Sequence, residues 1–288
     1  MQAILIVAHK NIDQLYDLCE RLRANFNVYI HFDRKMNIDS STKDRFEQLG
    51  VGVYSEYAIN WSGYNMMRAE LLMMREAFKN PENKFFHIIS GEDWFVKPPQ
   101  EIYDFYENNP AIYMSYDRAK DIVKSGENCG WWYRLYFNYD KINRRTFFGK
   151  IYHRVILWLQ LLFRVNKLKK YHFDSEIYCG SSWMDLPRDA VAYILKKLDE
   201  NPAYEQVFST SFCPDEALFQ TILVNSDFRD RIDGDIHRYI LWENKHGTYP
   251  AVLDLDDYDA IQNGDYHFAR KINKETVSKR LLEDLGVL

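Results

Sequence analysis

Cysteine is scarce in this chain: four in 288 residues, Cys19, Cys129, Cys179 and Cys213, none spaced as C-x-x-C. That spacing excludes the usual thiolate metal motifs. Met1 is not followed by a charged-then-apolar leader, and no apolar run approaches the roughly 20 residues that span a bilayer. The expectation from these absences is a reduced, cytoplasmic protein. Basic charge is not in excess either: 37 Lys and Arg stand against 42 Asp and Glu, a formal net charge of -5. General nucleic-acid binding needs a basic surface, so nucleic-acid partners are not expected. Internal repeats, low-complexity tracts and Gly/Ser linkers are missing, and one continuous domain over 1–288 is expected. The first loop also lacks G-x-G-x-x-G, which leaves an NAD-type pyrophosphate site unsupported.

What the chain does have is aromatic residues, 16% of the total, with 21 Tyr, 18 Phe and 7 Trp. Two readings stand: aromatic faces pack on the C–H faces of sugar rings, and large cores use aromatics heavily. The order of elements is clearer. Gln2–Ala8 (QAILIVA) is a short apolar run of the buried-strand kind, and Ile12–Phe26 places Leu15, Leu18, Cys19 and Leu22 at helical spacing. Asn27–Phe32 reads as a second strand, and strand, helix, strand in this span is a βαβ unit. Val51–Tyr54, the helix Tyr64–Phe78 and the strand Phe85–Ser90 continue the alternation. Further on, a strand near Glu176–Cys179 and helices over Pro187–Leu198 and Cys213–Val224 are expected. The fold class is therefore α/β, with a mixed, mostly parallel central sheet flanked by helices.

Ligands of open α/β sheets gather at the carboxyl ends of the strands. The loops after the first, second and fourth strands carry His9, Asp33 and Glu92-Asp93. Asp33 is either a ribose- or base-binding acid at the end of the second strand or a solvated turn aspartate. Glu216, in Cys213-Pro214-Asp215-Glu216, is either a general base for a sugar hydroxyl or one of the acids that helix starts favour. Arg270-Lys271 is either surface charge or a counter-charge for a departing diphosphate. The triplets Asp254-Leu-Asp256 and Asp233-Gly-Asp235 fit D-x-D, a pattern that also arises by chance. From Lys141 to Lys170 the chain carries nine Lys or Arg and no acid around Val155–Phe163. This stretch is either a solvated basic loop or an interfacial helix on an anionic membrane surface.

Taken in order, IVAHK at 6–10, VYIHFDRK at 28–35, WSGYNMMRAEL at 61–71, FHIISGEDWFVK at 86–97, GSSWMDLPRDAV at 180–191, CPDEALFQTIL at 213–223 and HFARKI at 267–272 resemble the core-2/I-branching β-1,6-N-acetylglucosaminyltransferase family, which includes the peptide O-xylosyltransferases. The resemblance implies a variant GT-A, Rossmann-like fold and an inverting, metal-independent reaction. It places the catalytic base on Glu216, the diphosphate lysine on Lys271, the nucleoside-contacting aspartate on Asp33 and a uracil-stacking aromatic on Trp61. Glu92 and Asp93, with Arg134 and Trp242, fall on the acceptor side. The family's second diphosphate arginine has no counterpart near Thr248, and Arg238 or Arg270 is expected to stand in.

On this reading residues 1–125 mainly bind the nucleotide-sugar, His9 included, and residues 126–288 mainly bind acceptor and carry catalysis. The expected reaction moves a sugar from a UDP-sugar, N-acetylglucosamine or xylose favoured, to a hydroxyl of a glycan or lipid-linked glycan. No cofactor or metal is expected. A bacterial member working in surface polysaccharide synthesis, at the inner face of the membrane, is the expected setting. The competing readings are a glycoside hydrolase pairing Glu92 or Asp93 with Glu216, and a non-catalytic carbohydrate-binding module.

Overall fold

The first strand, β1 (Gln2–Ala8), is buried along its whole length. Ala3, Leu5 and Val7 enter one hydrophobic cluster and Ile4, Ile6 and Ala8 enter another. Successive side chains of a strand point to opposite faces, so a strand apolar throughout must be covered on both sides. The computed structural model, which describes residues 1–288, supplies that cover with helices on each face.

The strands that follow are β2 (Phe26–Phe32), β3 (Gly52–Tyr54), β4 (Phe85–Ser90), β5 (Asp93–Phe95) and β6 (Ile112–Tyr113). Four two-residue strands come next, β7 (Asp117–Arg118), β8 (Val123–Lys124), β9 (Glu127–Asn128) and β10 (Tyr178–Cys179). β11 (Asp185–Pro187), β12 (Ile232–Asp233), β13 (Arg238–Ile240) and β14 (Phe268–Arg270) complete the set. Seven of them form one sheet in the order β12-β6-β11-β4-β1-β2-β3. All its pairings are parallel except those of β11, which runs antiparallel to β4 and β6. The expected mixed, mostly parallel α/β architecture is the observed one. A second sheet, β13-β14-β5, was not expected: Asp93–Phe95 read as loop and is a strand paired with β14.

The helix Tyr64–Lys79 turns Met67, Glu70, Met73, Met74 and Ala77 inward against β1 and β2. The expected helix over Cys213–Val224 is instead a single 3₁₀ turn, Pro214–Glu216, broken at Ala217 before the α-helix Leu218–Val224 begins. Cys213 is left-handed at φ 47°, and Ala217 leaves the helical region at φ -145°. Glu216 is therefore displayed by an irregular turn rather than by the first turn of an α-helix.

The two sheets are joined by a buried carboxylate. Asp185 of β11 accepts two N–H bonds from Arg238 of β13, both 2.6 Å, and the hydroxyl of Tyr106 at 2.7 Å. His87 Nδ1 of β4 lies 2.9 Å from the same carboxylate, and Tyr106 reaches His267 Nδ1 at 2.9 Å. Burial pushes the Asp185 carboxyl up, but the Arg238 guanidinium outweighs it and holds the group well below the usual carboxylate range. This pair corrects the expectation for Arg238. Its side chain is sealed from solvent and spent on Asp185, so it is not available to a phosphate. Removing one partner of such a pair strands a buried charge, so Arg238→Met is expected to cost about 3–5 kcal/mol of unfolding free energy in urea titrations. A loss below about 1 kcal/mol would mean that the pair does not hold the sheets together.

Candidate active site at the strand ends

The last residues of β1 accept hydrogen bonds from just past the ends of its neighbours: Asp33 N–H donates to the Ala8 carbonyl at 2.7 Å and Gly91 N–H to that of Val7 at 2.9 Å. The loops after β2 and β4 are thus drawn to His9. Around Glu92 the site is cationic. Lys10 Nζ lies 2.7 Å from Glu92 Oε1, with His9 Nε2 at 3.7 Å and Lys271 Nζ at 4.0 Å from Oε2. Burial pushes the Glu92 carboxyl up, and the Lys10 hydrogen bond with the charges of Lys271, Lys10 and Arg270 overcomes this and lowers its pKa. Burial is the largest influence on His9 and Lys271 as well, and lowers both.

Asp93 is a different kind of residue from its neighbour. As part of β5 it is buried, and its Oδ2 accepts from Ser90 N–H at 2.5 Å and Trp183 Nε1–H at 2.7 Å. Arg270 lies 3.3 Å from its Oδ1 and stacks its guanidinium 4.1 Å above the Trp183 ring. An acceptor-side contact by Asp93 is thereby corrected: pairing with β14 turns the carboxylate inward, where it fixes Arg270 and Trp183. Asp33 is likewise engaged by its own chain, with Oδ1 accepting from the N–H groups of Lys35 and Ile59, each at 3.0 Å. Its observed role is to shape the segment that leads to Trp61.

The turn that carries Glu216 is the acidic counterpart. Cys213 adopts a conformation that L-residues avoid, and three hydrogen bonds hold it there. Its N–H donates to Ser62 O at 3.2 Å, and its carbonyl accepts from Tyr133 OH at 3.3 Å and Glu216 N–H at 3.2 Å. Behind the loop, Asp215 is buried and accepts from Ser182 Oγ–H at 2.8 Å. Burial raises the Asp215 carboxyl, and burial with the Asp215 charge raises that of Glu70 well above its ordinary value. Glu216 itself is 28% exposed, and Lys124 Nζ is 3.6 Å from its Oε2. Burial, then the Asp215 charge, pushes the Glu216 carboxyl up to about 7 against the opposing pull of Lys124.

A chain of contacts closes these parts into one site. Gly180 N–H donates to the Glu216 carbonyl at 2.8 Å, Ser182 holds Asp215, and the next residue, Trp183, touches Asp93 and Arg270. Only glycine fits at 180, where a Cβ would stand 1.9 Å from the Ser115 carbonyl oxygen. On the other flank Trp61 meets Phe212 edge-on at 5.6 Å and lies under Arg145 at 5.1 Å. The Arg145 charge also acts on Lys271. Glu216 is thus linked to Arg270 by way of Gly180, Ser182 and Trp183, and Trp61 to Lys271 by way of Arg145. Arg134 ends the helix Cys129–Arg134, the helix whose Tyr133 grips Cys213, and its buried Nε has no hydrogen-bond partner. Trp242 is exposed and meets only Tyr249 among the aromatics, at 5.8 Å.

Lys10, Glu70, Lys124, Arg145 and Trp183 were missed from sequence. Glu70 carried a readable signal, an acid at an inward position of an apolar helical stripe. The D-x-D acids are engaged locally: Asp254 pairs with Lys245 and His246, both at 2.6 Å, and Asp233 accepts from Asp235 N–H at 3.0 Å. One ligand atom each from His237, Asp265 and His267 lie within 4.8 Å of one another. That cluster sits at the opposite end of β14 from Lys271.

The raised Glu216 pKa has a consequence for stability with a definite sign. Between its ordinary 4.5 and about 7 the folded state holds a proton that the unfolded state releases, so its ionisation destabilises the fold as pH rises through that window. Glu216→Gln is expected to melt at a higher temperature than the parent at about pH 8 and at the same temperature at about pH 4. Equal melting at the higher pH would show that the carboxyl is not perturbed.

The family described as Core-2/I-Branching enzyme matches residues 3–262. Among curated proteins the chain is similar to Beta-glucuronosyltransferase GlcAT14A of Arabidopsis thaliana, 32% identical over 103 residues, 35% of this chain and 23% of that protein. It is similar to Xylosyltransferase sqv-6 of Caenorhabditis briggsae at 20% identity over 232 residues, 80% of this chain and 27% of that protein. The chain thus spans about a quarter of the length of these relatives, 23% and 27%. Among solved structures, a glycosyltransferase involved in the glycosylation of the major capsid of PBCV-1 covers 100% of both chains at 10% identity and TM-score 0.39. Mouse xyloside xylosyltransferase 1 covers 93% of this chain and 96% of its own at 11% identity and TM-score 0.37, and similarity this low carries no weight for the fold. On the match over residues 3–262, the chain belongs to the core-2/I-branching enzyme family.

Proposed function

We propose that the protein is an inverting glycosyltransferase that passes a sugar from a UDP-sugar to a hydroxyl of a glycan, without a metal ion. The observation that carries this reading is the chain of contacts through Gly180, Ser182 and Trp183 that ties the Glu216 turn to the cluster of Lys10, Arg270 and Lys271 about Glu92 and Asp93. A general base works best when its pKa lies near the working pH, and the Glu216 carboxyl at about 7 meets that condition. In the proposed reaction Glu216 takes the proton of the acceptor hydroxyl as that oxygen attacks the anomeric carbon from the face opposite the diphosphate. The bond from that carbon to the diphosphate breaks, and UDP leaves with the electron pair. Lys271, Arg270 and Lys10 offset the charge that develops on it, with Glu92 as the anion they balance meanwhile. Trp61 offers a stacking face for the base and Asp33 stands behind it.

The hydrolase reading loses one of its acids, since Asp93 is buried and bonded. Donor sugars to screen are the UDP forms of N-acetylglucosamine and xylose, joined by glucuronic acid because a relative is named a glucuronosyltransferase. A bacterial source and a part in surface polysaccharide synthesis belong to this proposal too.

UDP is expected to raise the melting temperature of the protein more than ADP or GDP does, and to do so in excess EDTA. Lys271→Ala should weaken UDP binding by about tenfold or more. Glu216→Gln should bind UDP normally and turn over about 10²–10⁴-fold more slowly. In the parent, kcat/KM should rise with pH up to about 7 and then level off, the limb of a base that must lose its proton. Undiminished turnover by Glu216→Gln would remove the assignment of the base. A UDP effect that needs a divalent ion would remove the metal-free mechanism, and glycan cleavage without nucleotide would favour the hydrolase.

A further inference from the structure

The segment 141–170 contains the helix Phe147–Leu162, which is capped at its start by the Thr146 side chain. Its inner face is firmly held. Gly149, His153 and Leu157 are buried, and His153 Nε2 lies 2.8 Å from Glu127 while its Nδ1 meets Tyr139. Gln160 bonds both the N–H and the carbonyl of Tyr136 at 2.8 Å. Beyond the helix, Lys167 is buried with Thr210 and Ser211 as partners.

The outer face is apolar and bare. Phe147 is 81% exposed, Phe148 67%, Trp158 71% and Leu162 74%, with Ile151, Val155 and Leu159 between them at helical spacing and Phe163 just beyond. Single exposed apolar residues are ordinary, but a continuous stripe of this size marks a surface that is covered in use. Lys150 and Arg154 run along one edge of the stripe, and Arg144, Arg145, Arg164, Lys169 and Lys170 lie at its ends. No acid interrupts residues 141–170, in a chain whose net charge is -5.

We propose that this helix docks the protein on the surface of an anionic lipid bilayer, lying in the interface with Phe148, Trp158 and Leu162 among the acyl chains. Charge decides for this occupant. A second copy of the chain would bring one cationic rim against another, whereas an anionic bilayer offers apolar depth and opposite charge together. The helix lies on the bilayer rather than across it, since no helix of the protein is long and apolar enough to cross a membrane. Its flanking Lys and Arg stems reach sideways to the headgroups. The inference does not depend on the transferase reading.

The test is flotation of the whole protein with vesicles of phosphatidylcholine alone and of phosphatidylcholine mixed with phosphatidylglycerol. The protein is expected to float with the mixed vesicles, to float less with phosphatidylcholine alone, and to be released by salt. Phe148→Ser with Trp158→Ser should lower binding to mixed vesicles by about tenfold or more. Lys150→Gln with Arg154→Gln should lower it by about fivefold per charge while leaving binding to phosphatidylcholine nearly unchanged. All four side chains face solvent, so circular dichroism and melting temperature should match the parent. Absence of the parent from the mixed vesicles would overturn the proposal, as would undiminished binding by both variants. A dimer that Phe148→Ser with Trp158→Ser converts to monomer, without vesicle binding, would assign the face to self-association instead.

Discussion

The Asp185–Arg238 pair sets the geometry on which the site depends. Asp185 lies opposite His87 in the main sheet, and Arg238 lies opposite Phe268 in the small one. One carboxylate thus fixes how β14 sits against β11. The segment before β11 carries Ser182 and Trp183, and β14 runs out into Arg270 and Lys271. The Glu216 turn hangs on the first of these and the cationic cluster is the second, so a buried ion pair stands between the two. Such a pair adds little net stability over apolar packing because both charges lose their water. Its contribution here is alignment: a guanidinium donating two N–H bonds to one carboxylate tolerates far less sliding than leucine against leucine.

Two environments in the candidate site drive carboxyl groups in opposite directions. Glu92 is buried among Lys10, Lys271 and Arg270 and is held below its ordinary pKa. Glu216 is recessed beside Asp215 and raised to about 7. Separation of this kind is how two like side chains come to do different work in one site. The lowered group stays an anion among cations. The raised group can accept a proton and release it near neutrality. Lys124 moderates the second environment from the tip of the β8–β9 hairpin, whose turn Ser125-Gly126 has positive φ at both residues, 53° and 80°. Two left-handed residues in succession match the twist of a tight hairpin, and the glycine takes that conformation without strain.

Legibility in the sequence followed the range of the forces involved. β1 and β4 were readable to the residue, because burial on both faces leaves short, largely apolar runs. The helix Tyr64–Lys79 was readable from its stripe, within one residue at its end. Glu92, Lys271 and Glu216 were named by strand-end position and by resemblance, and the structure brings Lys271 to 4.0 Å from Glu92 and links the Glu216 turn to them through Trp183. Asp93–Phe95 was not readable as a strand, since its partner β14 lies far along the chain and three residues show no period. Arg238 failed for the same reason: the carboxylate that claims it is 53 positions away. Arg145 was not singled out within the basic stretch 141–170, because both Trp61 and Lys271, which give it meaning, are remote in sequence. The turn at Cys213 was hidden by a proline and two acids that suit a helix start equally well.

The basic segment and the site are mechanically continuous. Asn60 donates to the carbonyls of Tyr139 and Asp140, both at 3.0 Å, and Asp140 accepts from Asn65 N–H at 2.9 Å. Gly63 packs so closely there that a Cβ would lie 2.4 Å from Asp140 Oδ1. Five residues after Asp140 comes Arg145, over Trp61, and two residues later the exposed helix begins. With that helix on a bilayer, the Trp61 loop is held at a fixed height above the headgroups by bonds that do not involve the membrane. On the two proposals, membrane docking and donor binding share one short stretch of chain, 139–147, with Arg145 over Trp61 and Phe147 in the interface. On those proposals, holding that stretch at the bilayer would reduce the orientational freedom lost when a lipid-carried acceptor is met, because the Trp61 loop is already tied to it.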